Sequence, residues 1–353
     1  MSSSAASAGT ADGSGTPDSG FRIPDSDAPG AGGRSAPPVG IAIVGPTASG
    51  KTALSIDVAR RLDAEILSMD SRQVYRGMDV GTAKATAAEQ AAAPHHGLDL
   101  IDPDERFSAG RFAAYARARI HEIRARGRVP VLVGGTGFFL RALTEPLFEE
   151  PRIDAVRRRE LERVLRTLDD DALRGWLNAL DPATAGTLAR GGGRQRMLRA
   201  LEVALLTGRS IGWWHRHSPA TEPAVPLLVV LLELERAELD RRIDARVHAM
   251  IEAGLVDEVR TLLDAGVDPE APGMTATGYR EIVEHLSGRA SLADAIMQIQ
   301  LATRQYARRQ LTWFRNQLGA NVLRLDATRP AGDLGALIVK AWDERSRSAG
   351  APQ

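Results

Sequence analysis

Eight consecutive residues, Gly45-Pro46-Thr47-Ala48-Ser49-Gly50-Lys51-Thr52, have the spacing G-x-x-x-x-G-K-[ST], the pattern of a loop that cradles phosphate. Small residues let successive backbone N–H groups curl around an anion, and the helix that follows adds partial positive charge at its N-terminus. Lys51 can put a full charge on the outer phosphate, and the Thr52 hydroxyl can ligate Mg2+. The apolar run before the loop and the helical spacing of Leu54, Ile56, Val58 and Leu62 after it separate it from a chance glycine-rich turn. The chain therefore handles a di- or triphosphate. Asp70, in Asp70-Ser71-Arg72-Gln73, directly follows an apolar run. It could hold Mg2+ through water or accept a proton from an acceptor substrate, or it could simply form a turn. Thr136, in Gly134-Gly135-Thr136-Gly137, has glycines that allow close approach and a hydroxyl suited to a phosphate or a base. His95 and His96 are adjacent, point apart and have no partners at metal spacing, so they are assigned to loop packing.

These groups need a scaffold that brings them together. Buried strands are expected at 40–44, 64–69, 94–101, 129–133, 225–234 and 321–326, alternating in the first half with helical periodicity at 107–126 and 138–143. That alternation predicts an α/β fold, a P-loop NTPase-like doubly wound parallel sheet. In such sheets ligands sit beyond the carboxyl ends of the strands. Residues 45–52, 70–73 and 134–137 each follow a strand, so they are expected to line one crevice. Between 144 and 217 no strand pattern appears, and Arg-rich helices are expected at 156–168, 171–180 and 194–206. The predicted organisation is a disordered tail at 1–38, a P-loop α/β core with C-terminal basic helices at 39–143 and 218–329, an inserted all-helical subdomain at 144–217, and a closing helix and tail at 330–353. Within 218–329, helices are expected at about 236–249 and 255–263, a loop at 272–280, and one or two helices over 292–317.

The 353 residues include no cysteine, and 45 Lys and Arg balance 45 Asp and Glu. Thiolate and disulfide chemistry are excluded, as is a globally basic nucleic-acid binder, although a local basic face is not. No apolar run could span a bilayer, and there is no secretory leader pattern. A cytoplasmic protein without membrane contact is expected, a monomer with no obligate protein partner. From Leu301 to Arg315, Arg304, Arg308 and Arg315 share one helix face, with Gln305, Arg309 and Thr312 alongside and no acid in the stretch. A face of Arg and Gln without counter-charge suits nucleic-acid phosphates, and Gln195-Arg196-x-x-Arg199 repeats the theme. Trp213-Trp214-His215-Arg216-His217 either stacks on bases or forms the hinge of the insertion.

From about Val39 to Asp326 the sequence resembles the tRNA dimethylallyltransferases. The motifs that carry the resemblance are Gly45–Thr52, Asp70-Ser-x-Gln73, Tyr75-Arg-Gly-Met-Asp-x-Gly-Thr-Ala-Lys84, Pro94-His-His96, Gly134-Gly-Thr136, Gln195-Arg-x-x-Arg-Ala-Leu-Glu202, Gly278-Tyr-Arg280 and Ala302–Trp313. The resemblance implies transfer of a dimethylallyl group from dimethylallyl diphosphate to N6 of adenine 37 in tRNA anticodon loops. It implies that Gly45–Thr52 holds the pyrophosphate, with Mg2+ as cofactor and Thr52 as its ligand. It makes Asp70 the general base, with Lys51 and Thr136 also catalytic. It assigns Asp70, Ser71, Arg72, Gln73, Thr136, Arg157, Gln195, Arg196, Arg199, Gly278, Tyr279, Arg280, Arg304, Gln305, Arg308, Arg309 and Gln310 to the tRNA anticodon stem-loop. Gly192-Gly193 replaces the family's usual Asn-Asp before Gln195, removing a helix cap, and Phe139 stands where Tyr is frequent. The rival readings are an adenylate isopentenyltransferase acting on free AMP or ADP, a P-loop nucleotide or metabolite kinase, and a tRNA-binding protein without catalysis. The first two need the phosphate loop but not the basic tracks. The intact Lys51, Thr52 and Asp70 speak against the third.

Overall fold

Alternation of buried side chains fixes the sheet. In β1 (Gly40–Val44), Ile41 and Ile43 enter one apolar cluster, while Ala42 and Val44 enter another. Both faces of the strand are therefore covered, as parallel α/β sheets require. The computed structural model describes residues 36–145, 153–189, 193–217 and 222–347; the tail expected at 1–38 lies, up to residue 35, outside them. The chain divides into two compact units, one built from Arg34–Leu147 with Glu222–Gln353 and the other containing Phe148–Thr221.

In the larger unit the order is β1, α1 (Lys51–Leu62), β2 (Ala64–Ser68), α2 (Ala87–Ala92), β3 (His95–His96), α3 (Ala109–Ala125), β4 (Val129–Gly134) and α4 (Gly137–Thr144). The second unit supplies α5 (Ala155–Thr167), α6 (Asp170–Leu180), α7 (Pro182–Leu188), α8 (Arg194–Thr207) and α9 (Ile211–His217). The larger unit resumes with β5 (Leu227–Glu233), α10 (Arg236–Glu252), α11 (Leu255–Asp264), α12 (Tyr279–Leu286), α13 (Leu292–Gln317), β6 (Leu323–Asp326) and α14 (Ala331–Arg347). The six strands form one sheet in the order β3-β2-β4-β1-β5-β6, and every pairing is parallel. β4 lies between β1 and β2, so the loops leaving all three emerge side by side at one edge.

Three expectations change. The strand expected at 94–101 is only His95–His96, because Gly97 and Asp99 adopt positive φ of 84° and 52° and turn the chain away. α12 starts at Tyr279, within the loop expected at 272–280. The closing helix is longer than expected and is part of the core: it packs on α1 and buries Leu334 and Ile338. In the second unit, Leu165, Leu173, Leu177, Met197 and Leu201 make a separate apolar core. Gly193 caps α8 without a side-chain hydrogen bond, while Gly192 lies outside the described residues.

Candidate active site

At the carboxyl edge of the sheet a crevice of about 860 Å3 lies entirely in the larger unit. Thr47–Ala53, Asp70–Gln73, Gly135 and residues of α10 and α13 line it, so the three post-strand loops meet as the strand order requires. Lys51, at the start of α1, donates from Nζ to the carbonyls of Gly45 (3.0 Å) and Pro46 (2.6 Å). Burial pushes its ammonium down to about 7; Arg246 works in the same direction and Asp70 against it. The Ser49 hydroxyl is buried and has no hydrogen-bond partner among the described residues.

Asp70 forms the turn its sequence position allows and also lines the crevice. Its Oδ1 accepts from the Arg72 N–H at 2.8 Å, a turn that orients the side chain. It also faces Lys51, Arg246 and Tyr306 closely enough to act on the charge of each. The Thr136 hydroxyl caps no helix N–H; it accepts from the Ser71 N–H at 3.1 Å and lies near the Tyr306 phenol. Burial, and then the Asp70 charge, pushes the Tyr306 phenol up to about 12, so it stays protonated at neutral pH. Gln73 is held by the Ser68 side chain (2.8 Å) and the Ala83 carbonyl (3.1 Å). Arg72 reaches the Pro272 carbonyl at 2.9 Å, which ties the Asp70 loop to the loop before α12.

Arg246 and Tyr306 were not found from the sequence. Arg246 sits one turn after Arg242 on α10, and both line the crevice. Burial works against the Arg246 charge, and Asp70 supports it. The available sequence sign was the Arg-x-x-x-Arg spacing on the helix after β5. For Tyr306 it was an aromatic one turn before Gln310.

Four residues assigned to RNA are placed differently. Gln310 is buried; its Oε1 accepts from the Thr47 N–H at 2.9 Å and its Nε2 donates to the Gly135 carbonyl at 2.9 Å. It joins the phosphate loop to the loop after β4, and a Cβ at Gly135 would lie 2.1 Å from Nε2, so a larger residue there would have to displace the Gln310 amide. Tyr279 is fully buried and donates to Glu258 at 2.6 Å. The same Glu258 carboxylate accepts from the N–H groups of Asp79, Val80 and Gly81. Arg304 pairs with Asp244 and Arg308 with Asp240 at 3.5 Å, while Arg315 lies 3.5 Å from Glu233. The basic face therefore has counter-charges, which come from α10 and β5 rather than from its own helix. Gln305 and Arg309 do face the crevice and are exposed. Gly278 and Arg280 line it as well, Arg280 being exposed and paired with Glu281 at 2.9 Å.

Arg157, Gln195, Arg196 and Arg199 belong to the second unit. Arg157, Gln195 and Arg196 are exposed there, and Arg199 and Arg158 both bind the buried Glu202. Trp213 stacks on His217 with ring centres 4.4 Å apart, Arg209 lies over it, and Trp214 Nε1 donates to Thr207 at 3.0 Å.

Replacing Gln310 by Leu is expected to lower stability by about 2–4 kcal/mol, since two backbone groups lose their partner, and to weaken diphosphate binding. Chemical denaturation alongside ligand titration checks both.

Hard oxygen donors at one edge suit Mg2+, which is commonly held by one or two protein groups plus substrate phosphates rather than by a full protein cage. Among the described residues no group of three His, Cys, Asp or Glu could form such a cage, whereas Thr52 and Asp70 line the same crevice. No described helix is long and apolar enough to cross a membrane.

The family model described as IPP transferase matches residues 73–317, and that described as Isopentenyl transferase matches residues 40–100. The chain is 48% identical over 305 residues to the tRNA dimethylallyltransferase of Anaeromyxobacter sp. (strain K), covering 86% of this chain and 97% of that relative. It is similar to the full-length tRNA isopentenylpyrophosphate transferase of Bacillus halodurans, with a TM-score of 0.62 and 38% identity over 88% of this chain and 99% of the other. A eukaryotic dimethylallyltransferase acting on tRNA is similar at a TM-score of 0.67 and 26% identity, with 88% of this chain and 77% of that one covered. With phosphate loop, carboxylate and basic crevice assembled on one sheet edge and the family motifs matched over most of its length, the chain belongs to the tRNA dimethylallyltransferase family.

Proposed function

We propose that this chain transfers the dimethylallyl group of dimethylallyl diphosphate to N6 of adenine 37 in tRNA anticodon loops and releases pyrophosphate. The observation that carries this reading is Asp70, which lines one crevice with the phosphate loop, Lys51 and Arg246. The N6 lone pair is delocalised into the ring, so the amine is a weak nucleophile. Orientation and a good leaving group must supply most of the acceleration. A C–N bond forms as the C–O bond to the diphosphate breaks. Lys51, Arg246 and the loop N–H groups stabilise the charge that develops on the departing pyrophosphate. Bound Mg2+, held by Thr52 and the diphosphate oxygens, would add Lewis-acid stabilisation of that oxygen charge.

The amine becomes acidic as the new bond forms, and Asp70 accepts its proton. The Asx turn with Arg72 occupies Oδ1 and leaves Oδ2 for this task. Thr136, held by the Ser71 N–H, stands at the Asp70 loop to orient the base. An adenine inside a folded loop reaches such a crevice by leaving its stack. Gln305, Arg309 and Arg280 at the crevice, with Arg157, Gln195 and Arg196 on the second unit, are assigned to the RNA. Gln310, Tyr279, Arg304 and Arg308 are assigned to holding the scaffold.

The test offers labelled dimethylallyl diphosphate and Mg2+ to an anticodon stem-loop, with AMP, ADP and ATP offered in parallel. Label in the RNA alone is expected. Label in AMP or ADP alone would replace this reading with the free-nucleotide reaction, and consumption of ATP without label would replace it with a kinase.

A further inference from the structure

Most large apolar side chains at the sheet edge are covered, but Phe138 is 56% exposed. It is the second residue of α4, two positions after Thr136. Its ring does not hang free. It rests against Trp313 with centroids 5.9 Å apart and planes tilted by 53°. Trp313 in turn meets Phe314 edge-on at 5.3 Å and 88°, and Phe314 is fully buried. Trp313 can lie there only because residue 137 is glycine: a Cβ would fall 2.2 Å from its ring. Three aromatic rings thus step from the core to the surface, and the outermost one is fixed from behind.

This ladder lies along the same helix face as residues that line the crevice. Along α13, Tyr306, Arg309, Gln310 and Trp313 follow at helical spacing on one face. Gln310 bonds Gly135, and Trp313 covers Gly137. Arg309, exposed and lining the crevice, lies one turn before Trp313. A fixed aromatic plane beside an exposed Arg, at the rim of a site that takes a flipped base, matches how proteins hold single-stranded nucleic acid. There bases stack on aromatic faces while cations meet the backbone.

We propose that Phe138, backed by Trp313, is a stacking platform for an unpaired nucleobase next to the acceptor adenine, with Arg309 on the neighbouring phosphate. The inference rests on RNA being the acceptor. Its occupant is a loop base rather than a second copy of the chain, because Trp313, which backs Phe138, shares one face of α13 with Arg309 and Gln310, both of which line the acceptor crevice.

The experiment uses the full chain and an anticodon stem-loop in which 2-aminopurine replaces, in turn, the nucleotide on either side of the acceptor adenine. Fluorescence of one of the two probes is expected to be quenched on binding. Phe138→Ala should abolish that quenching and raise KM for the RNA by about 5- to 150-fold, with KM for dimethylallyl diphosphate changed by less than about twofold. Phe138→Tyr should behave as the unaltered chain. Phe138→Leu, which keeps apolar bulk without a π face, should behave as Phe138→Ala. Because Phe138 is exposed, none of these variants disturbs the core.

Quenching and KM that ignore Phe138→Ala would overturn the proposal. So would a Phe138→Leu variant indistinguishable from the unaltered chain, or a concentration-dependent dimer in sedimentation that Phe138→Ala dissolves. Binding with Phe138-dependent quenching but no prenyl transfer would keep the platform and sink the functional reading. Absence of RNA binding by the unaltered chain would sink both.

Discussion

Asp70→Asn is expected to lower kcat for prenyl transfer by about 100- to 10,000-fold, the range for loss of a positioned general base. Asn is the informative replacement because its Oδ1 can still accept from the Arg72 N–H, the bond that orients the side chain in the present structure. The turn survives and only proton acceptance and charge are lost. There is a second consequence. Asp70 supports the protonated form of Lys51 and opposes the burial that lowers it. Removing that charge should push the Lys51 pKa below about 7. Diphosphate binding by Asp70→Asn should therefore be measured near pH 6, where Lys51 is still largely charged. Near-normal affinity there, with transfer lost, separates a base from a binding residue. Single-turnover kinetics of label transfer, run beside calorimetric titration with the diphosphate, checks both parts.

Lys51→Met is the other large effect, expected at about 100- to 1,000-fold in kcat, as for loss of a fixed charge at a developing oxyanion. It also carries a pH signature whose sign follows from the site. In the free protein the Lys51 ammonium titrates at about 7 because it is buried next to Arg246. A bound diphosphate favours the charged form and raises that value. Binding above pH 7 must then take up a proton, and the Kd for diphosphate should rise with pH, by up to about tenfold per unit, until the bound-state pKa is reached. Below pH 7 Lys51 is already charged and this contribution levels off. In Lys51→Met the slope from this group should vanish. Titrations between pH 6 and 9, with proton uptake read from buffers of different ionisation enthalpy, measure it.

The sequence was most legible where chemistry and backbone coincide. Gly45–Thr52, Asp70 and Gly134–Gly137 each end a strand, and a parallel sheet forces such loops to a common edge. The part that stayed hidden depends on helix-to-helix packing. Arg304 has no acid near it in its own helix, and its partner Asp244 lies sixty positions earlier on α10. Gln310 looked like a polar contact for RNA, and only the fold shows it bonded to Thr47 and Gly135. Arg246 went unnoticed because α10 reads as an ordinary amphipathic helix until it is laid beside the phosphate loop. The starts of two further helices are legible in the sequence. Asp181 caps α7 with Pro182 at its first turn, and Thr86 with Glu89 forms the capping box of α2; both are standard start patterns.

The central claim is that one edge of this sheet joins a prenyl group to an RNA adenine. The most direct measurement digests the stem-loop after reaction with labelled dimethylallyl diphosphate, identifies the labelled nucleoside, and counts pyrophosphate released. The expected result is label on N6 of a single loop adenosine, one pyrophosphate per label, and no reaction with Asp70→Asn on the same time scale. Label on a free adenine nucleotide but not on RNA, or orthophosphate released from ATP in place of pyrophosphate from the prenyl donor, would contradict it.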